Sequence, residues 1–401
     1  MCALDEAKGM IKYMKRNDVN NLIHLEKVLC DDSNQFYLYG TGKTGEEFYR
    51  QINERIKIIG FIESEPVEPQ KLGLPIYKWE EIGSKLNEKT IIIITIRTAR
   101  FRDEVEKQLL QSSLVRNVDY FFYDVAGRII TFCKDKIFWV SQIDLTITAA
   151  CTLKCRDCIQ QIPLIKGKRN ISYQEIIESL EDTFCYIDYC EEFHIVGGEP
   201  LLHPQLPQIV EYTGIHYKEK IGTIVIVTNG TILPDKELLD ALCSWNVRVE
   251  ISDYRKSETS PEGQKIEDIL AEFDEYNISY FLRPMAEWND YCGDRGGFRL
   301  APLEDALIET FDTCPCAGST LSIQGKKAYI CSRSSVAETF GLVDKDPQNG
   351  ISLCGDVHRV KEKLLELSIK ITESGYIPYC VNCYGEKPIY ERIVPAAKQM
   401  R

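Results

Sequence analysis

Short apolar runs alternate with longer amphipathic stretches along most of this chain, in the spacing expected of strands and helices in turn. Residues 3–31 place Leu22, Leu25 and Val28 on one helical face. The run 35–39 is expected to be a strand, and it leads into Gly40-Thr41-Gly42-Lys43-Thr44-Gly45. A helical stretch follows, then strands over 56–62 and 90–96, a helix through Leu110, and a strand over 119–123. This alternation predicts a parallel sheet with helices on its faces over about residues 1–130. A second series starts near Gln142. Its strands are expected at 144–148, 192–196, 221–227, 247–252 and 278–282, with helices at 173–182 and 235–243. Repeated units of that size predict a full or partial (β/α) barrel over about 140–300, with chemistry on the loops after the strands. Residues 301–401 hold short strands, turns and clustered cysteines, and are expected to form a small metal-stapled domain.

Composition narrows the class. The 401 residues are 44% hydrophobic and 27% charged, which suits two or three folded α/β domains. The longest apolar run, at 90–95, is far too short for a membrane span. Residues 1–21 mix acids and bases and lack a signal-peptide core, so a cytoplasmic protein with no membrane partner is expected. The net charge of −13 opposes a nucleic-acid backbone as the main partner. Sixteen cysteines need another explanation. They cluster at short spacings, which in a reducing compartment points to metal ligation rather than disulfides.

Cys151-x3-Cys155-x2-Cys158 directly follows the strand at 144–148. Thiolates are the ligands of iron–sulfur clusters, and three of them leave one iron of a cubane open. A structural zinc is the alternative, but it wants a fourth ligand and none is local. One βα unit later comes Gly197-Gly198-Glu199-Pro200. Its glycines permit close backbone approach, and Glu199 suits an ammonium group; a plain strand-to-helix turn is the simpler account. Taken together, the two motifs resemble the radical S-adenosylmethionine superfamily over about residues 140–390. That resemblance implies a partial (β/α)6 barrel, a [4Fe–4S] cluster on Cys151, Cys155 and Cys158, and S-adenosylmethionine chelated by the open iron. It implies that Gly197, Gly198, Glu199 and Pro200 hold the methionine amino group, and that Asn229 and Ser252, at later strand ends, bind ribose and carboxylate. One residue departs from the family pattern: the position before the third cysteine, usually aromatic, is Asp157.

Cys314-Pro-Cys316, Cys331 after a Gly325 turn, and Cys380-x2-Cys383 form a further group. They resemble the auxiliary-cluster domains called SPASM or twitch, which implies one more [4Fe–4S] cluster, with Cys314 and Cys316 competing for one place. A four-cysteine zinc site is the alternative. Cys292 and Cys354 are expected to be passive thiols, with Cys292 the candidate hydrogen donor of an epimerase. Cys2, Cys30, Cys133, Cys185, Cys190 and Cys243 are expected in the core. Arg283 is expected in a salt bridge, with anion binding as the alternative.

Gly40-x-Gly42-x-x-Gly45 lies between a strand and a helix, and Glu63 ends the next strand, the context of a dinucleotide fingerprint. Glycines kept for packing alone explain it equally. The segment resembles Rossmann-like domains that accompany sugar-modifying proteins. The leading expectation is a radical enzyme that oxidises a small molecule or sugar, either free or nucleotide-linked, with flavodoxin or ferredoxin as reducing partner. Epimerisation, peptide modification, and a non-catalytic iron–sulfur electron carrier are the alternatives. An amine-binding Gly-Gly-Glu loop disfavours the last.

Overall fold

The computed structural model describes residues 21–83, 85–167, 170–291, 304–314, 316–318, 320–383 and 393–400. The chain divides into two compact units, Met1–Phe138 and Trp139–Arg401.

In the first unit the helix expected from residue 3 lies outside the described residues up to Asn21. The Asn21 side chain caps α1 (Leu22–Leu29) by accepting from the His24 N–H. There follow β1 (Gln35–Tyr39), α2 (Lys43–Ile52), β2 (Ile58–Ile62), β3 (Gln70–Lys71), β4 (Leu74–Tyr77), α3 (Trp79–Ile82), β5 (Thr90–Ile94), α4 (Ala99–Gln111), β6 (Tyr120–Phe122) and α5 (Tyr123–Asp135). The sheet order is β3-β4-β2-β1-β5-β6, parallel except for the β3–β4 pair. All five residues of β5 are buried, which is why its sequence runs apolar without alternation. The β3–β4 pair was not expected; Gly73, at φ +78°, makes the turn between them.

The glycine loop after β1 is explained largely by packing. Gly40 sits at φ +120°, and a Cβ on Gly45 would lie 2.2 Å from the Gly40 carbonyl. Gly42 meets nothing within 4 Å. The Glu63 carboxylate accepts from the Thr41 N–H (3.1 Å) and hydroxyl (2.7 Å), so an acid of the chain itself already holds these donors.

The second unit contains β7 (Trp139–Thr148), α6 (Tyr173–Tyr186), β8 (Tyr189–Gly197), α7 (Leu206–Tyr217), β9 (Ile221–Thr228), α8 (Lys236–Ser244), β10 (Arg248–Asp253), α9 (Ile266–Glu275), β11 (Tyr280–Pro284) and β12 (Glu287–Asn289). Then come α10 (Glu304–Thr313), β13 (Thr320–Gln324), β14 (Lys327–Tyr329), α11 (Ser332–Thr339), β15 (Gly350–Ser352), α12 (Val357–Ser368) and β16 (Ile393–Pro395). One eight-stranded sheet runs β11-β10-β9-β8-β7-β13-β14-β15. Strands β7 to β11 are parallel neighbours in chain order, and the order does not close, so this is an open arc rather than a full barrel. The sixth parallel strand, β13, pairs with β7 from Thr320↔Gln142 to Ile323↔Leu145. Residues 320–352 therefore extend the barrel sheet instead of forming a sheet of their own. Ile143, Leu145 and Ile147 of β7 are fully buried on one face. Asp144 lies on the other face of β7, beside His194 of β8. No described helix is long and apolar enough to cross a membrane.

Candidate functional site

The loop after β7 carries the first thiol group. Cys155 is 7% exposed, and Cys151 and Cys158 are half-buried. Leu153, Tyr254, Ala396, Ala397, Met285 and Trp288 pack around the three thiols. Burial pushes the Cys151 thiol up to about 11 and the Cys155 thiol up to about 12; Cys158 raises both further, and Cys151 also raises Cys155. Without a cation these sulfurs keep their protons; a bound metal displaces them. Among the described residues, no three cysteines draw their sulfurs within 4.8 Å of one another. Thiolates round a single zinc stand only about 3.8 Å apart, given a Zn–S bond of about 2.3 Å. The three sulfurs are therefore not gathered round a single zinc position.

Two further strand ends hold this loop. Gly198 N–H donates to the Thr148 carbonyl (2.9 Å) and Glu199 N–H to the Ala150 carbonyl (2.8 Å). A Cβ on Gly197 would lie 2.4 Å from the Thr148 carbonyl, and one on Gly198 would lie 2.4 Å from the Ala150 carbonyl. The close approach these glycines permit is to the end of β7 and the cysteine loop that follows it. Glu199 is fully buried and accepts from Leu201 N–H, the Thr228 hydroxyl and Asn229 N–H at 3.2, 2.9 and 2.8 Å. Burial raises its carboxyl to about 7, with those donors opposing the rise. Pro200 opens a short 3₁₀ turn, where its fixed φ fits and its missing N–H costs nothing.

Asn229 donates to Cys151 Sγ (3.6 Å) and the Thr152 hydroxyl (3.0 Å), and accepts from Thr231 N–H and its hydroxyl. It clasps the cysteine loop. Ser252 lies within hydrogen-bond reach of the Tyr254 hydroxyl. Asp157 is 7% exposed and pairs with Arg156 at 3.1 Å. Aromatic surface beside the thiols comes instead from Tyr254 and Trp288, edge to face at 5.7 Å.

Sequence reasoning missed two residues. Gln264 donates to the Asn229 and Ser252 carbonyls (2.8 Å each), tying two strand ends together. Gln399 donates to Cys155 Sγ (3.3 Å) and accepts from Lys154 N–H (2.7 Å). Its segment adds bonds from Arg156 N–H to the Lys398 carbonyl and from Met400 N–H to the Lys154 carbonyl. No local sequence signal marks a contact this distant along the chain.

The second thiol group draws on three segments. Burial pushes the Cys331 and Cys380 thiols up; Cys383 and Cys314 raise both further, and Cys331 also raises Cys380. Cys316 instead hydrogen-bonds Cys314, which with the Lys370 charge holds the Cys314 thiol down at about 6. Lys370 also donates to the Asp312 and Cys314 carbonyls at 2.9 and 2.8 Å. The expected hairpin is present, β13 to β14, with Gly325 at φ +57°.

The other expected positions divide. Cys190 is buried, and Cys30 and Cys133 are half-buried, but Cys185 and Cys243 are exposed, because each falls on the outer side of its helix end. Cys354 is exposed. Cys2 and Cys292 lie outside the described residues. Arg283 pairs with Glu250, as expected. Glu192, His194 and Glu250 bring three ligand atoms within 4.8 Å, but Arg248 bonds both carboxylates (2.7 and 3.0 Å), so a cation already compensates them.

Residues 145–252, from the first barrel strand to the fourth, match the Radical SAM superfamily. The match is confined to this segment. Radical SAM proteins use a [4Fe–4S] cluster and S-adenosylmethionine, and the three thiols of Cys151, Cys155 and Cys158, one buried and two half-buried, suit such a cluster. The chain is 30% identical over 101 residues to "GTP 3',8-cyclase 1" of Mycobacterium tuberculosis, covering 24% of this chain and 28% of that protein. It is 29% identical over 104 residues to "GTP 3',8-cyclase" of Chlorobaculum tepidum, covering 26% and 29%. The chain thus spans less than a third of the length of these curated relatives. Among solved structures it is similar to BtrN in complex with AdoMet and 2-DOIA (TM-score 0.38, 15% identity, 61% of this chain and 93% of that one). It is also similar to Streptococcus suis SuiB (TM-score 0.31, 12% identity, 71% and 81%).

Proposed function

We propose that this chain is a radical SAM enzyme that oxidises a small, polar, hydroxylated substrate such as a sugar, with an auxiliary [4Fe–4S] cluster on Cys314, Cys331, Cys380 and Cys383. The second thiol group carries this reading. Cys314 and Cys383 act electrostatically on both Cys331 and Cys380, in the same unit as the radical SAM segment, and four thiolates would complete a cluster with no open iron.

Bound there, the groups would supply a 5′-deoxyadenosyl radical that takes a hydrogen atom from substrate, and an acceptor for the electron that leaves with a proton to complete a two-electron oxidation. The chain's own residues hold and orient. Asn229 and Gln399 donate to the sulfurs of Cys151 and Cys155. Glu199 provides a buried carboxylate beside Cys151, matched to the methionine ammonium. The polar sheet face carrying Asp144, Glu192, His194, Arg248, Glu250 and Arg283 supports a hydrophilic substrate. A cytoplasmic setting and a flavodoxin- or ferredoxin-like reductant belong to the same reading.

Anaerobic reconstitution with iron and sulfide, followed by reduction with S-adenosylmethionine, tests it. The expected result is about eight irons per chain and formation of 5′-deoxyadenosine. About four irons, or zinc in the second group, would count against the auxiliary cluster. Absence of deoxyadenosine with any polyol or sugar tried would count against the substrate class.

A further inference from the structure

Arg333 lies in the first turn of α11, two residues after Cys331, and is only 3% exposed. A guanidinium so deeply buried is costly unless its surroundings compensate it. Its Nη1 donates to Cys383 Sγ and to the Tyr291 carbonyl, both at 3.3 Å. The guanidinium lies 5.9 Å from the ring centroids of Tyr291 and Tyr379, within cation–π range. The Tyr379 hydroxyl donates to Gln161 Oε1 (2.9 Å), and the Gln161 N–H donates to the Cys158 carbonyl (2.9 Å). One continuous set of contacts therefore joins Cys383 of the second thiol group to Cys158 of the first.

We propose that Arg333 is a positioning residue shared by the two iron–sulfur sites, orienting Cys383 and setting a fixed positive charge that raises the reduction potential of the second cluster. The proposal rests on the auxiliary-cluster reading above. The physical reason is direct. Each cluster with its thiolates is anionic and becomes more so on reduction, and a guanidinium keeps its charge at any working pH. N–H···S bonds and local charge are among the features that set cluster potentials. Arginine also offers several donors in a fixed fork, so one residue can hold a sulfur and a carbonyl together.

The test is an EPR-monitored redox titration of the reconstituted full chain, with iron content and melting temperature, in wild type, Arg333→Gln and Arg333→Lys. In Arg333→Gln, reduction of the second cluster is expected to become about tenfold less favourable, a fall of about 59 mV for one electron. Arg333→Lys keeps the charge and should fall less than about threefold. Unchanged potentials in Arg333→Gln at full iron overturn the proposal, while leaving the auxiliary cluster itself in place. An equal fall in both variants overturns the role of charge. If Arg333→Gln does not fold, the lysine variant decides alone: a near-wild-type potential supports the proposal, and a tenfold fall overturns it. A wild type holding only about four irons removes the auxiliary-cluster reading, and this proposal with it.

Discussion

The two thiol groups of the second unit are held in different ways. Cys151, Cys155 and Cys158 come from one short loop, clamped by main-chain bonds from the ends of neighbouring elements: Gly198 and Glu199 on one side, Lys398 and Met400 on the other. Cys314, Cys331, Cys380 and Cys383 come from three separate segments and are held by buried or half-buried polar side chains. Lys370 fixes the Cys314 carbonyl. Arg333 fixes Cys383. Glu338 binds Tyr329 and Asn349, and Asn349 accepts from Tyr379 N–H beside Cys380. A contiguous loop can be set by its backbone. Thiols gathered from distant segments need side chains that reach across.

The strongest way to break this comparison is to remove one cysteine from each group. Cys155→Ala is expected to abolish deoxyadenosine formation. Cys380→Ala is expected to lose about four irons yet still form deoxyadenosine. Iron analysis and product chromatography check both, and equal loss of deoxyadenosine in the two would remove the division of labour. Next in size is Gly198→Ala. Its Cβ would press on the Ala150 backbone at 2.4 Å, at a cost of about 1–3 kcal/mol. Calorimetry should show the loss, and iron should leave the first site selectively; a normal melting temperature with full first-site iron would refute the backbone clamp.

Glu338→Leu addresses the other side. Glu338 is 3% exposed and accepts from Tyr329, Asn349 and Lys327. Leaving those donors unsatisfied should cost about 2 kcal/mol, with iron lost from the second site first. Loss of first-site iron instead would reverse the assignment. The smallest effect is expected from Gln399→Leu, about 1 kcal/mol. It should also lower the first cluster's potential by removing the donor to Cys155; an unchanged potential would make Gln399 a packing residue only.

The Cys151–Cys158 and Gly197–Pro200 motifs were legible in the sequence because each is local. Their residues are neighbours in the chain, and the strand before each places it at one end of the sheet. The strand series 144–282 was legible for the same reason, since buried parallel strands are continuous apolar runs. Ends shifted by a few residues: β7 begins at Trp139, well before the expected 144, and β11 at Tyr280 instead of 278. The exposure of Cys185 and Cys243 was not legible, because a helix end in an apolar context can turn either side to solvent.

By itself, then, the sequence determined the βα alternation, the cysteine triplet and the glycine-rich partner loop. Tertiary structure alone decided that β13 joins the barrel sheet beside β7 and that Gly197 and Gly198 pack against the cysteine loop. It also placed Gln399 on Cys155 and Arg333 between two sets of sulfurs. The reason is physical. Periodicity and motif spacing encode interactions within a few residues, whereas a hydrogen bond or a buried charge depends on which segments the fold brings together.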